Sequence, residues 1–173
     1  MRIVFSAVII AVLIAGCGFH LRGANTGLDA SIERVALSAE NAYGAFVQML
    51  QRSLEQSGIE VARQESEAPY AIHVLDERVT RRAVATTSQV RVSEYEVRME
   101  VRFELVDSTG SALIEPANLV AERIYSFDSS SLVGSSEEEE LLKEEMRRDL
   151  AGQIIRRVNA TIRASKSNAN EQP

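Results

Sequence analysis

The sequence predicts an α+β fold: a two-layer sandwich in which an about four-stranded mixed sheet carries two helices on one face. Three observations carry that expectation. From Tyr95 to Leu105 every odd position is apolar (Tyr95, Val97, Met99, Val101, Phe103, Leu105), and every even position from Glu94 to Glu104 is charged. A period of two is the mark of a strand with one buried and one wet face. Two other stretches repeat their apolar residues at helical spacing instead. An amphipathic helix pair and a half-wet sheet can bury each other's apolar surfaces in two layers.

Each element has its own local reason. Residues 31–38, "SIERVALS", alternate with Ile32, Val35 and Leu37 apolar, which fits a short strand. Phe46, Met49, Leu50 and Leu54 then recur at helical spacing, and Gly58 stands where a helix end prefers glycine, so a helix is expected over residues 42–57. "IEVARQESEAP" reads as a short extended piece followed by a polar loop ending at Pro69. Tyr70, Ile72 and Val74 open a second strand running to about Val84, which could lie parallel to the first through the helix. "ATTSQ" has the composition and length of a hairpin connection. Val90 and Val92 fall on even positions, so the phase of the alternating strand slips near Ser93, which implies a bulge or bend. "DSTG" at residues 107–110 is a turn, and a last strand is expected over residues 119–127.

The final helix is expected over residues 137–163. Leu142, Met146, Leu150, Ile154, Val158 and Ile162 line one stripe, supported by Leu141, Ala151 and Ile155. Ser135 with Glu138, and Ser136 with Glu139, both have capping-box spacing. The acidic run from Glu137 to Glu140 then suits the positive end of the helix dipole better than it suits a metal site. Residues 164–173 lack apolar side chains and are expected to form a disordered tail.

Composition bounds the function. The chain has 173 residues, enough for one domain, and is 45% hydrophobic and 25% charged, as globular proteins are. A net charge of -6 argues against a nucleic-acid binder. The two histidines, His20 and His73, stand apart in sequence, and His73 points to the opposite strand face from Ile72 and Val74. No zinc-peptidase, nucleophile-elbow, phosphate-loop or CxxC motif occurs. The expectation is therefore no catalytic residues, no metal site and no enzyme.

Cys17 is the single cysteine. Alone, it could be a nucleophile, a free thiol, a buried hydrophobe or an attachment point. Its setting decides. Met1 and Arg2 give a positive start, residues 3–15 are uncharged and mostly aliphatic, and Ile14-Ala15-Gly16 precede the thiol. That apolar run is the length of a signal-peptide core and shorter than the roughly 20 residues a membrane-spanning helix needs. The ending resembles a bacterial lipobox. Residues 1–16 are then a cleaved leader, and Cys17 carries N-acyl and S-diacylglycerol lipid. Gly18 in place of Asp favours the outer membrane by resemblance to bacterial sorting rules.

Two surface features leave alternatives open. The alternating Glu and Arg of residues 94–104 read as a solvated sheet face or as a polar contact surface. Arg78, Arg81, Arg82 and Arg91 cluster around the expected hairpin end, with Glu77 the nearby acid. They read as an ordinary charged hairpin or as a basic tip for an anionic lipid headgroup or acidic partner, because guanidinium matches phosphate and carboxylate.

The string "CGFHLRG" beginning at Cys17 closely resembles the start of the mature LptE family of lipopolysaccharide-assembly lipoproteins. The likeness continues through "SEYEVRMEV", "ERIYSF" and the helix "KEEMRRDLAGQIIRRV", and spans most of residues 17–163, a single LptE-like domain. The resemblance implies a two-helix, four-stranded fold, an outer-membrane location, a partner in the large β-barrel LptD, whose lumen the lipoprotein plugs, and lipopolysaccharide as a ligand. This chain departs from the family where basic residues are proposed to touch lipopolysaccharide. Ser88, with Arg91 close by, stands at one such position, and Ser135 with an acidic run at another. The candidate lipopolysaccharide-binding residues are therefore Arg81, Arg82 and Arg91, chosen on charge and position. An outer-membrane-anchored periplasmic adaptor or lipid-binding lipoprotein of another envelope complex is the alternative, and a lipid-anchored hydrolase the third.

Overall fold

The computed structural model describes residues 32–86, 92–127 and 132–170. In chain order the elements are β1 (Arg34–Ala39), α1 (Ala45–Gln56), β2 (Glu60–Ala62), a 3-10 turn (Glu65–Glu67), β3 (Tyr70–Thr86), β4 (Val92–Asp107), β5 (Ala112–Ser126) and α2 (Leu132–Asn170). The strands form one mixed sheet in the order β2-β1-β3-β4-β5. Both helices share a single core with the sheet, so the two-layer α+β expectation stands. The sheet has a fifth strand, the three-residue β2. It forms because Arg34, Val35 and Ala36 of β1 offer it a parallel partner at Glu60, Val61 and Ala62, which no local periodicity could announce. β1 and β3 are also parallel, joined through the helix as the sequence suggested.

The strand order forces a crossing. β2 and β3 flank β1, so residues 63–69 must pass over β1. They do so on the face away from the helices, where Ala68 seats against Ala36, Ala62 and Ala71, all small enough for close approach. His73 pins this crossover. Its Nδ1 lies 2.9 Å from Glu104 on β4 and its Nε2 lies 3.0 Å from Glu65 in the 3-10 turn.

On the helix side, Val97, Met99, Val101, Phe103 and Leu105 of β4 are fully buried, as strict alternation requires. They pack with Phe46, Leu50 and Leu54 of α1 and with Met146, Leu150, Ile154, Val158 and Ile162 of α2. α1 starts at Ala45, later than expected, after Gly44, which has no side-chain cap of its own. Glu77 of β3 takes that role by accepting the Phe46 N–H. The fit explains the glycine: a Cβ at residue 44 would come within 3.1 Å of the Asn41 carbonyl and 3.3 Å of Glu77 Oε2. Burial pushes the Glu77 carboxyl up, against the opposing pull of Arg147 and the Phe46 amide.

The long strands bend through bulges. Ala85 pairs with Glu94 and Thr86 with Val92, so Ser93 is the extra residue, where the phase slip placed it. β5 starts at Ala112, seven positions before the expected Leu119. Pro116 hid its first half. It sits beside a register shift on an edge strand, the one setting where a strand tolerates proline. The 107–110 turn is built by Asp107, whose Oδ1 accepts from the Thr109 and Ser111 amides, and by Gly110 at φ 81°.

α2 departs from expectation at both ends. It begins at Leu132, so Ser135 and Ser136 lie inside the helix and are not its caps, and the acidic run falls in the second turn. It also continues through residues 164–170, where the sequence suggested a disordered tail; the Ser165 hydroxyl donates to the Ile162 carbonyl there. A helix already nucleated over many turns extends at little cost through polar residues.

Candidate functional site

β3, β4 and β5 run past the end of β1 as a three-stranded tongue. The bulge at Leu75 resets β3 so that Glu77, Val79, Arg81 and Ala83 face the helix side, while Arg78, Thr80 and Arg82 face outward. Adjacent in sequence, Arg81 and Arg82 therefore do different things.

The outward face is a ladder of alternating charge. Across the strands Arg82 stands opposite Glu96, Thr80 opposite Arg98 and then Glu122, and Arg78 opposite Glu100. Arg82 grips Glu96 in a bidentate pair, with nitrogen–oxygen distances of 2.6 and 3.0 Å. The guanidinium holds the Glu96 carboxyl below the usual carboxylate range. Arg82 covers Glu96 while its own side chain stays 72% exposed. Arg98 pairs with Glu122 and lies 3.5 Å from Glu100. Ile124 and Val120 add exposed apolar surface among these charges.

On the helix side Arg81 enters a cluster that sequence reasoning missed. Its Nη1 donates to Glu139 Oε2 at 2.8 Å, and its guanidinium lies 4.4 Å from the centre of the Tyr95 ring. The Tyr125 hydroxyl donates to the same Glu139 oxygen, and Lys143 Nζ reaches the other at 2.7 Å. Tyr95 stacks on Tyr125 with ring centres 6.0 Å apart and meets Phe127 edge-on at 5.2 Å. Burial alone would raise the Glu139 carboxyl, but hydrogen bonds from Lys143, Tyr125 and Arg81 outweigh it and bring the pKa down to about 2. One carboxylate thus joins β3, β5 and α2. The only advance signal was the Glu139–Lys143 spacing of four on a helix.

Cys17 and Arg91 lie outside the described residues, so their place in the fold is not part of this geometry. Among the described residues no group of three metal-binding side chains converges, and no helix is long and apolar enough to cross a membrane. A groove of about 550 Å³ runs between the helices, lined by Met49 and Arg52 of α1 and by Leu141, Glu144 and Arg147 of α2.

Comparison with known proteins places this geometry in a family context. The sequence profile of LptE, lipopolysaccharide-assembly, matches residues 32–158, from the start of β1 deep into α2. An LPS-assembly lipoprotein LptE of Pectobacterium atrosepticum is 25% identical over 163 residues, covering 93% of this chain and 86% of that protein. One from Photorhabdus laumondii is 23% identical over 164 residues, covering 94% and 88%. The solution structure of an uncharacterized lipoprotein B from Nitrosomonas europaea superposes with a TM-score of 0.69 at 25% identity, covering 87% of this chain and 96% of that one. The crystal structure of rare lipoprotein B from Shewanella oneidensis gives 0.65 at 20% identity, covering 80% and 99%, a likeness of fold.

Proposed function

The chain belongs to the LptE family of lipopolysaccharide-assembly lipoproteins, and from that premise we propose that it plugs the lumen of the outer-membrane β-barrel LptD and assists insertion of lipopolysaccharide. The family is non-enzymatic, so the work is recognition and positioning. The observation that supports the plug reading is the outward ladder of Arg78, Arg82, Glu96, Arg98 and Glu122. A barrel lumen is polar, and a face rich in charged side chains suits it. The ladder offers such a face, with Arg82 paired to Glu96 and Arg98 to Glu122 and with Ile124 and Val120 exposed among them.

In this reading Cys17, freed of residues 1–16, carries the acyl chains that tether the protein to the outer membrane. Each buried methylene contributes about 0.8 kcal/mol, and stable anchoring takes more than one chain, which a diacylglycerol plus an N-acyl group supplies. Arg81 and Arg82 near the end of the tongue, with Arg91 beyond the described residues, are the candidates for binding the anionic lipopolysaccharide headgroup, and the exposed Arg82 is suited to it by the affinity of guanidinium for phosphate.

The test is extraction of the full protein from membranes in mild detergent, followed by affinity purification. A stoichiometric complex with a large outer-membrane barrel is the expected result. Recovery of the lipoprotein alone, or with a periplasmic partner only, would sink the plug reading and favour an adaptor role.

A further inference from the structure

We propose that Glu139 is the fastening point of the sheet tip, and that Arg81 contributes to headgroup binding through it and not by touching the ligand. The inference deepens the lipopolysaccharide reading above and rests on it for its binding arm.

The geometry separates the two adjacent arginines. Arg82 lies on the open outward face, 72% exposed, with its partner Glu96 beneath it. Arg81 is held between groups that use both its edge and its face: Glu139 takes a terminal N–H, and the Tyr95 ring lies under the guanidinium plane. Arg81 is itself 48% exposed, but for a phosphate to take the terminal N–H that Glu139 holds it would have to displace a carboxylate that is only 12% exposed and shared with Tyr125 and Lys143. A carboxylate stripped of its partners in such a place is costly, so exchange for an outside anion is disfavoured.

What the contact does instead is mechanical. Arg81 is on β3, Tyr125 on β5, and Glu139 and Lys143 on α2, so these three elements meet at the Glu139 carboxylate, and β4 joins them through the Tyr95 ring against Arg81 and Tyr125. α1 meets β3 further from the tip, at Glu77, which accepts the Phe46 N–H. The Glu139 carboxylate therefore sets where the tip sits relative to the helix, and with it where the outward arginine points. Arg81, Tyr125 and Glu139 are positioning residues of a headgroup site whose contacts lie elsewhere on the tip.

The test uses the full mature lipoprotein in detergent micelles and four variants: Glu139→Gln, Arg81→Ala, the double variant, and Arg81→Lys. Circular dichroism melts first establish that each is folded. Titration with purified lipopolysaccharide is expected to show each of the first two weakened about tenfold, and the double variant weakened no more than about twofold beyond either, since residues acting as one unit are not additive. Arg81→Lys keeps a cation on Glu139 and restores binding to within about threefold of wild type. Losses that multiply to about a hundredfold in the double variant overturn the inference, because Arg81 then acts independently. A second readout needs no lipid. Glu139→Gln should speed amide exchange in residues 94–97 and 123–126 about tenfold, and exchange at the wild-type rate overturns the fastening role. If wild-type protein binds no lipopolysaccharide, the headgroup reading fails, while the exchange arm still decides whether Glu139 fastens the tip.

Discussion

Replacing Leu150 by alanine sets up a sharp contrast with the same change at Leu141. Both leucines lie on α2, and the sequence assigned both to its apolar stripe. Leu150 is fully buried at the centre of the core, whereas Leu141 is 65% exposed at the lip of the interhelical groove. Leucine-to-alanine changes at closed sites cost about 3–5 kcal/mol, because lost transfer energy and the cavity left behind add together. With no exposed area at all and close-packed neighbours on both layers, Leu150 belongs in that range, at about 3–4 kcal/mol. Leu141 has only its covered third to lose, below about 1 kcal/mol, and alanine's better helix propensity offsets part of it. In urea, with a slope of about 2 kcal/mol per molar, Leu150→Ala should lower the midpoint by roughly 1.5–2 M, and Leu141→Ala by under about 0.5 M. Equal shifts for the two variants at an unchanged slope would refute the way α2 is placed on the sheet.

Three further outcomes test other parts of the account. Val101→Asp puts a charge at a fully buried β4 position between Glu77 and Leu119 and should abolish cooperative unfolding; a wild-type melt would contradict the strand's facing. Cys17→Ala should eliminate palmitate incorporation and release the protein from the membrane fraction; persistent labelling would rule out this cysteine as the acyl site. The Glu139 carboxyl sits below its ordinary value in the folded protein, at about 2 instead of 4.5, so its contribution is present above pH 4.5 and lost as pH falls toward 2. Glu139→Gln should therefore lower stability at pH 7 and flatten the loss between pH 4.5 and 2 in urea melts, and parallel wild-type and variant profiles would count against the cluster.

Much of the fold was legible because it is local. β4 alternates without exception from Tyr95 to Leu105, and its buried side is what the alternation requires. The apolar residues of α1 recur every three or four positions and all five buried ones face the core. The slip at Ser93 was visible because a period of two registers a single inserted residue as a reversal of face. Other features were hidden for equally physical reasons. β2 is too short to show a period and exists only because β1 pairs with it. β5 reaches back past Pro116 to Ala112, which an edge strand tolerates at a register shift and a local apolar period does not reveal. Ser135 and Ser136 had the spacing of caps, yet the helix had already begun at Leu132.

The candidate site shows the same division more sharply. By itself the sequence determined the class of fold, the apolar faces, the leader-and-cysteine pattern at Cys17, and that four arginines cluster over residues 78–91. It also carried the family likeness. Only the tertiary structure decided what each arginine does. A bulge at Leu75 turned Arg81 inward and left Arg82 outward, and Glu139, 58 residues along the chain from Arg81, arrived at the tip on a different element. Periodicity reports which face of its own element a residue occupies. It carries nothing about which distant side chain will be waiting on that face, and the chemistry of the tip depends on that meeting.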